Sequence, residues 1–199
     1  SILLEYISSF GFRRIILCTG YKSYQFNKFL AGVNFDCHIA ISKEERPLGT
    51  AGAIKNAEKL IQTKSFLVFN GDTFCDLNLQ RFSQNFLDEN MFAQIAVTAR
   101  KKTDKYATIH LGENNQIFQY QEKRKQSKKD VNWISTGIYQ FSSKILDLIK
   151  NDTFTSLELD IFPKIIRDRD KKLFGFITEG KFIDIGTPES FEKSKSYLL

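Results

Sequence analysis

The sequence is poor in several residue types and has no long apolar segment. Of its 199 residues, three are Cys, three are Pro and one is Met. So little Pro, with an apolar fraction of 42%, excludes a collagen-like or disordered chain. No apolar run approaches the roughly 18–20 residues of a membrane span. We also find no basic region followed by an apolar core and a cleavage site, so we expect no signal peptide.

The three cysteines and the charge balance narrow the functional classes. Cys18, Cys37 and Cys75 have no metal-binding spacing and form no even framework, so we expect reduced thiols in a cytoplasmic protein. The net charge of +6 suits either a nucleic-acid binder or a protein that handles anionic small molecules. The densest positive run, residues 123–129, contains no aromatic residues for base stacking, which favours a solvated loop.

Short apolar segments alternate with helical patterns along the chain. This order predicts one domain of the α/β class with a largely parallel sheet. The predicted helices are 2–10, 24–30, 54–61, 79–89, 143–150, 158–167 and a last one capped by Thr187. The predicted strands are 15–18, 38–42, 66–70, 94–99, 106–110, 116–120, 133–141, 173–178 and 182–184.

The strand 66–70 organises the interpretation, because its apolar residues predict burial on both faces. It leads into Gly71 and Asp72, which places a carboxylate at the carboxyl end of a central strand, where open α/β sheets bind ligands. An oxygen ligand there suits Mg²⁺, which completes its shell with water and substrate phosphate. Asp184 is a second carboxylate at a strand end, and the two could share one cation. A turn residue without further role explains either aspartate as well.

Three further segments have both a functional and a structural explanation. The small residues 49–53 allow a ligand or another backbone to approach, and the helix start beside them favours anions. Glu122 and Lys123 can hold a polyol phosphate, although an exposed ionic loop has the same composition. Residues 135–137 leave room for a ring against the sheet, but packing or a bulge produces the same pattern.

Five motifs follow one another along the chain, at residues 48–53, 69–72, 122–123, 135–139 and 182–188. Their types and order resemble the sugar-1-phosphate nucleotidylyltransferase family. The resemblance covers essentially the whole chain and is closest to the short form without a C-terminal β-helix, the mannose and D-glycero-α-D-manno-heptose 1-phosphate guanylyltransferases. It implies a Rossmann-like, three-layer α/β/α domain over residues 1–199 with a mixed, mainly parallel central sheet.

The resemblance also implies a role for each motif. Asp72 and Asp184 hold Mg²⁺ on the nucleotide phosphates and, with Lys123, are the catalytic residues. Glu122 and Lys123 hold the sugar and its phosphate. The remaining implied contacts are Glu44, Leu48, Gly49, Thr50 and Gly71 to the nucleotide, and Thr136 and Gly137 to the sugar.

Two positions and one segment depart from the family pattern. Ser135 replaces the usual Asn, and Ala107 follows Tyr106 where Gly is common; both bear on which sugar fits. The family's opening strand, Gly-rich loop and Lys-Pro motif are expected before the first helix. By family analogy, these roughly 25–30 residues, which include the phosphate cradle, would precede Ser1, so either the protein is truncated or this sequence starts late. If the protein is truncated, we expect little or no catalysis.

The implied reaction is attack of a sugar 1-phosphate oxygen on the α-phosphorus of a nucleoside triphosphate, which releases pyrophosphate. The product serves nucleotide-sugar biosynthesis for cell-surface polysaccharide. A carboxylate at Glu44 favours GTP, because it can accept from guanine N1–H and N2–H₂. The alternatives are a uridylyl- or thymidylyltransferase and an inactive nucleotide-sugar-binding homologue. We expect no nucleic-acid or membrane partner and leave a homo-oligomer open.

Overall fold

The structure is a computed structural model that describes residues 2–86, 91–100, 106–121, 132–187, 190, 192 and 194. These residues belong to two compact units, Ser1–Lys64 with Ser143–Ile161, and Ser65–Ser142 with Phe162–Leu199. The single domain remains a prediction. The helices are α1 (Ile2–Ser9), α2 (Ser23–Ala31), α3 (Gly49–Asn56), α4 (Leu79–Gln84) and α5 (Phe162–Arg167). The strands are β1 (Arg14–Thr19), β2 (His38–Lys43), β3 (Ser65–Phe69), β4 (Thr73–Cys75), β5 (Met91–Arg100), β6 (Thr108–Leu111), β7 (Ile117–Gln121), β8 (Asn132–Ser142), β9 (Lys172–Ile177) and β10 (Phe182–Asp184).

In the first unit, β1 and β2 form a parallel pair. Their register runs from Arg14 opposite His38 to Thr19 opposite Lys43. This agrees with the strands predicted from the short apolar runs, each extended by a residue or two. The helices α1 and α2 also lie where the apolar spacing predicts them.

Three helical predictions in the first unit need correction. Helix α3 begins at Gly49, so the small residues form its first turns instead of a loop before it. A 3₁₀ turn, Ser143–Leu148, replaces the predicted α-helix 143–150. A π turn, Leu157–Ile161, interrupts the predicted helix 158–167, because the Ile161 amide donates to the Ser156 carbonyl, 3.2 Å away. Helical periodicity alone does not distinguish these hydrogen-bond patterns.

The second unit contains a six-stranded mixed sheet. Its order is β7-β6-β8-β5-β9, and β3 pairs with β8. This confirms the mixed α/β class, but the described neighbours are mostly antiparallel. The reason is that β8 lies between β3 and β5 and runs opposite to both, whereas β5 and β9 are parallel. The predicted hairpin is also present as β6 and β7.

Strand β3 differs from its prediction in burial. All five of its residues are half-buried, and among the described residues its only ladder partner is β8. A strand paired on one edge is not enclosed by the sheet, so the apolar sequence overstated its burial. The fully buried core instead surrounds β8, where Tyr139 and Phe141 stack at 5.8 Å and both contact the Phe162 ring.

Helix α4 is joined to this sheet through a buried amide network. Gln94 is fully buried; its amide nitrogen donates to the Phe82 carbonyl at 2.7 Å and to Gln140 Oε1 at 3.2 Å. Gln94 Oε1 accepts from the side-chain amide of Asn85 at 3.1 Å. Each polar atom of Gln94 therefore has a partner, as burial requires.

Replacing Gln94 by leucine should lower the free energy of unfolding by about 1–3 kcal/mol, because the Phe82 carbonyl and Asn85 amide lose their partner. Leucine has a similar volume, so little of the loss comes from a cavity. Urea unfolding followed by circular dichroism measures the change. The control is Gln80→Leu at an exposed position of α4. Equal stability of both variants would contradict the assigned role of the network.

Two short strands complete the second unit and carry the site. Strands β4 and β10 pair antiparallel, with Phe182 opposite Cys75 and Asp184 opposite Thr73. The Asp76 amide also donates to the Lys181 carbonyl at 2.9 Å, which extends the pairing by one step. In the part of the chain that the structure describes, no helix is both long and apolar enough to cross a bilayer.

Candidate functional site

The pairing of β4 with β10 brings Asp72 and Asp184 together. Asp72 immediately precedes β4, and Asp184 is the last residue of β10. Because the strands are antiparallel, the start of one lies beside the end of the other. The Ile185 amide donates to the Asp72 carbonyl at 2.8 Å, which continues the ladder beyond Asp184. Two aspartates separated by more than a hundred residues thus lie side by side.

Gly186 shows how close the two carboxylates are. A Cβ on this glycine would lie 3.0 Å from Oδ1 of Asp184 and 3.7 Å from Oδ2 of Asp72. Both carboxylates therefore border one small space that a side chain would fill. Two neighbouring carboxylates are a donor set that suits Mg²⁺, which completes its shell with water and substrate phosphate. In the described ranges, no three His, Cys, Asp or Glu side chains form a fuller metal cluster.

Tyr106 is a further residue at this site. Its ring meets the Phe182 ring edge-on, 6.0 Å between centroids. Burial, then the charge and hydrogen-bonding capacity of the nearby Asp184 carboxylate, raise the pKa of Tyr106, and Arg100 partly offsets the increase. The hydroxyl therefore stays protonated at neutral pH.

Arg100 is the last residue of β5, and its side chain contacts β10. Its guanidinium donates to the Phe182 carbonyl at 2.9 Å and lies 5.5 Å from the centroid of the Phe182 ring. The contact to β10 is thus both polar and cation–π in character. Arg100 therefore adds a positive charge to the region of the Asp72 and Asp184 carboxylates.

Cys75 is the only cysteine of the second unit, and it is not a reactive thiolate. It is almost completely buried. Burial, together with the nearby Asp76, raises the pKa of this thiol to about 11, despite opposing effects of the Thr136 hydroxyl and Arg100. At neutral pH the thiol is therefore protonated, which leaves the carboxylates as the metal-binding groups of this region.

Gly71 and Gly137 have different surroundings. A Cβ on Gly71 would meet no atom within 4 Å, so the backbone beside Asp72 is open. Gly137 has φ +78°, and a Cβ there would lie 2.4 Å from Thr73 Oγ1 and 3.0 Å from Asn70. The Gly137 carbonyl accepts from the Asn70 amide at 2.8 Å. Contacts within the protein therefore require this glycine, and β8 has a register shift here against β5.

Thr136 lies within the sheet. Its side chain is fully buried, and its hydroxyl donates to the Ala96 carbonyl at 3.0 Å. Its predicted contact with the sugar stays a prediction. Ser135 is half-buried; its hydroxyl accepts from the Gly137 amide at 3.1 Å and lies 3.3 Å from the Tyr139 hydroxyl.

In the first unit, Glu44 and Leu48 are joined to each other. The Leu48 amide donates to Glu44 Oε2 at 3.0 Å, so this carboxylate closes the loop 44–48. Leu48 itself is buried, at 4% exposure. Arg46, within the loop, donates to the Asp152 carbonyl and forms an ion pair with its carboxylate, both at 2.7 Å. The loop that leads into α3 is therefore held by two contacts, Leu48 to Glu44 and Arg46 to Asp152.

The small residues at the start of α3 pack against another part of the first unit. Gly49 has φ +73°, and a Cβ on it would lie 2.7 Å from the Thr155 carbonyl oxygen. The Ala51 and Gly52 amides donate to that oxygen at 2.9 and 3.2 Å, and the Thr50 hydroxyl accepts from the Leu157 amide at 2.8 Å. The close approach of the Thr155 backbone therefore explains Gly49, and the Thr155 carbonyl occupies two N–H groups at the start of α3. This is the structural alternative that the sequence left open for these small residues.

Glu122 and Lys123 lie outside the described residues, so their predicted contacts stay predictions.

The observation that decides the family is the match of the whole chain to one family model. The model described as nucleotidyl transferase matches residues 1–199. The chain belongs to the nucleotidyl transferase family. This confirms the family proposed from the order of the sequence motifs.

Several relatives named as guanylyltransferases align with most of this nucleotidyl transferase chain. The D-glycero-alpha-D-manno-heptose 1-phosphate guanylyltransferase of Aneurinibacillus thermoaerophilus is 28% identical over 97% of this chain and 81% of its own length. The Campylobacter jejuni protein of that name is 31% identical over 95% and 80%. The chain spans only 55% of the Mycobacterium tuberculosis mannose-1-phosphate guanylyltransferase, at 27% identity.

A solved structure has the same fold and a bound nucleotide analogue. HddC from Yersinia pseudotuberculosis, complexed with GMP-PN, is 32% identical, with a TM-score of 0.84 over 99% of this chain and 84% of that one. This agrees with the Rossmann-like α/β fold implied by the sequence.

Two residues at the site were not found from sequence. Tyr106 was noted only because Ala107 follows it, and Arg100 was not singled out. Neither residue has a diagnostic spacing from Asp184, because both are distant from β10 in the sequence. A weak signal existed for Tyr106: a tyrosine beside a small residue, just before the first hairpin strand.

Proposed function

We propose that this nucleotidyl transferase transfers a guanylyl group from GTP to a sugar 1-phosphate and releases pyrophosphate. The observation that carries the proposal is the meeting of Asp72 and Asp184 beside Gly186. The names of the relatives support the substrates, a heptose 1-phosphate or mannose 1-phosphate. Glu44 favours guanine for the reason derived from sequence, although Oε2 already accepts from Leu48.

In the proposed reaction, an oxygen of the sugar phosphate forms a bond to the α-phosphorus and the bond to the β-phosphate breaks. The attacking oxygen is already anionic, so no general base is needed. The obstacle is repulsion between two polyanions, about 4 kcal/mol for two unit charges 4 Å apart at an effective dielectric of 20. Bound Mg²⁺ supplies charge neutralisation at the α-phosphate.

The residues of this chain have the following proposed roles. Asp72 and Asp184 hold the cation, and the open backbone at Gly71 lets phosphate approach them. Lys123 binds the sugar phosphate and Glu122 the sugar hydroxyls, as the family resemblance implies. Gly137 lines the sugar pocket through its backbone, and Leu48, Gly49 and Thr50 contact base and ribose. A cytoplasmic location and a role in cell-surface polysaccharide synthesis are parts of the same proposal.

A nucleotide panel tests the base preference. With Mg²⁺ present, GTP should raise the melting temperature more than ATP, CTP, UTP or dTTP. A ligand at 100 times its Kd stabilises by about 2.7 kcal/mol, a shift of several degrees. EDTA should remove most of the shift. A larger effect of UTP or dTTP would favour the uridylyl or thymidylyl alternative.

Pyrophosphate release tests the transfer itself. The natural polypeptide that carries this sequence should release pyrophosphate from GTP only when a sugar 1-phosphate is added. The rates of pyrophosphate release with D-glycero-α-D-manno-heptose 1-phosphate, mannose 1-phosphate and glucose 1-phosphate rank these acceptors. GTP binding without release on any acceptor would support the inactive nucleotide-sugar-binding homologue instead.

A further inference from the structure

Phe154 is an exposed aromatic side chain beside the predicted nucleotide contacts of the first unit. The residue is 66% exposed. A Cβ built on Gly49 would lie 3.3 Å from the ring carbon Cε2 of Phe154, so the ring edge lies close to this glycine. Gly49 is one of the residues to which the family resemblance assigns the base and ribose. The ring therefore borders the surface on which the nucleotide is expected.

The backbone on both sides of Phe154 is fixed against the start of α3. The Thr155 amide donates to the Leu48 carbonyl at 2.8 Å, and the Thr155 carbonyl accepts from two amides of α3. The Thr153 carbonyl lies against Gly52, where a Cβ would be 2.8 Å from its oxygen. The ring is therefore carried on a backbone that has close contacts before and after it.

Two side-chain contacts join the same two segments of the first unit. Arg46 donates to the Asp152 carbonyl and pairs with the Asp152 carboxylate. Further along, the Thr50 hydroxyl accepts from the Leu157 amide at 2.8 Å. A phenylalanine has only two side-chain torsions, so on such a support its ring can contact a ligand at a low cost in conformational entropy.

Several polar groups among the predicted nucleotide contacts already have partners inside the protein. The Leu48 amide is bonded to the Glu44 carboxylate, and the Leu48 carbonyl to the Thr155 amide. The Thr50 hydroxyl is bonded to the Leu157 amide. A base at this surface would therefore gain more from an exposed aromatic ring than from these groups. Stacking suits any base, because every base has a π-face.

We propose that Phe154 is a nucleotide-binding residue whose exposed ring stacks on the base of the bound nucleoside triphosphate. This rests on the proposed function, because it requires a nucleotide beside Gly49. Since stacking is tolerant of the base, Phe154 raises the affinity for nucleotides in general. The preference for guanine is then left to the hydrogen-bonding groups, of which Glu44 is the predicted one.

The Phe154→Ala variant removes the ring from an exposed position, so the ligand-free melting temperature should change little. We expect the Kd of Mg²⁺–GTP, measured by titration calorimetry, to rise about tenfold, within the range for loss of one base–aromatic stack. Phe154→Leu keeps apolar volume without a flat ring, and its Kd should lie between the two. The matched control is Phe26→Ala, a phenylalanine that is 45% exposed on α2, which should leave the Kd unchanged.

Two measurements distinguish stacking from a general structural role. Tripolyphosphate has no base, so its inhibition constant as a competitor of GTP should be the same in Phe154→Ala and the unsubstituted protein. Phe154→Trp keeps a flat ring, so its Kd for GTP should be equal or lower. Bound GTP should also quench the emission of this variant more than that of the unsubstituted protein, whose one tryptophan is Trp133.

The outcomes separate this inference from the function on which it depends. GTP binding by the unsubstituted protein with an unchanged Kd in Phe154→Ala would overturn the role of Phe154 and leave the function intact. An equal loss of affinity for GTP and tripolyphosphate in Phe154→Ala would show a structural role and also overturn it. Absence of GTP binding by the unsubstituted natural polypeptide would contradict the proposed function, and the role of Phe154 with it.

Discussion

Replacing Asp72 or Asp184 by asparagine is expected to lower kcat for pyrophosphate release by about 10²–10³-fold, the loss typical when one electrostatic contact to a transition state is removed. Asparagine keeps the size of aspartate but has no charge, and at position 184 its oxygen can still accept from the Gly186 amide. The variants should therefore fold normally and lose the cation. Stopped assays of the natural polypeptide with GTP and a sugar 1-phosphate measure the rate.

The control for these variants is Asp170→Asn, which removes one exposed negative charge from the same unit. It should keep the full rate, because Asp170 lies in the turn before β9. Melting temperatures of all three variants verify that the fold is retained. Normal turnover by Asp72→Asn or Asp184→Asn would remove that residue from the mechanism.

Alanine at Gly137 is expected to lower the free energy of unfolding by about 2–4 kcal/mol, from the positive φ and from overpacking. The backbone has φ +78°, and the new Cβ would lie 2.4 Å from Thr73 Oγ1. Relief of that contact requires a shift of Thr73 or Asn70, which border the start of β4. The variant should therefore also lose activity. Urea unfolding gives the change in free energy.

The matched control is Gly71→Ala, because a Cβ there meets no atom within 4 Å and its φ lies outside the positive range. Its stability should be unchanged or higher by up to about 1 kcal/mol, as for alanine at a compatible position. Equal stability of the two alanine variants would show that Gly137 is not required by packing.

The sequence allowed the class of fold and the key pair of residues to be predicted. Alternating strands and helices indicated an α/β protein, and apolar runs located most strands within one or two residues. Asp72 follows one short apolar strand and Asp184 ends another, which indicated a ligand-binding edge. These signals are local, because they depend on residues that are neighbours in the chain.

Features that depend on contacts between residues distant in the sequence were harder to predict. Burial of β3 was overestimated because composition does not show how many edges a strand pairs. The role of Gly49 depends on the Thr155 carbonyl, more than a hundred residues away. The hydrogen bond from the Thr136 hydroxyl to the Ala96 carbonyl spans 40 residues and has no local signal. The contact between the Tyr106 and Phe182 rings likewise has no counterpart in local spacing.

The central claim is that Asp72 and Asp184 bind one divalent cation, and anomalous diffraction tests it most directly. Crystals of the natural polypeptide grown with Mn²⁺ and a non-hydrolysable GTP analogue should show one anomalous peak, about 2.0–2.2 Å from an oxygen of each carboxylate, as for octahedral coordination. Density for the analogue with the Mn²⁺ peak elsewhere, or with no peak near both aspartates, would contradict it.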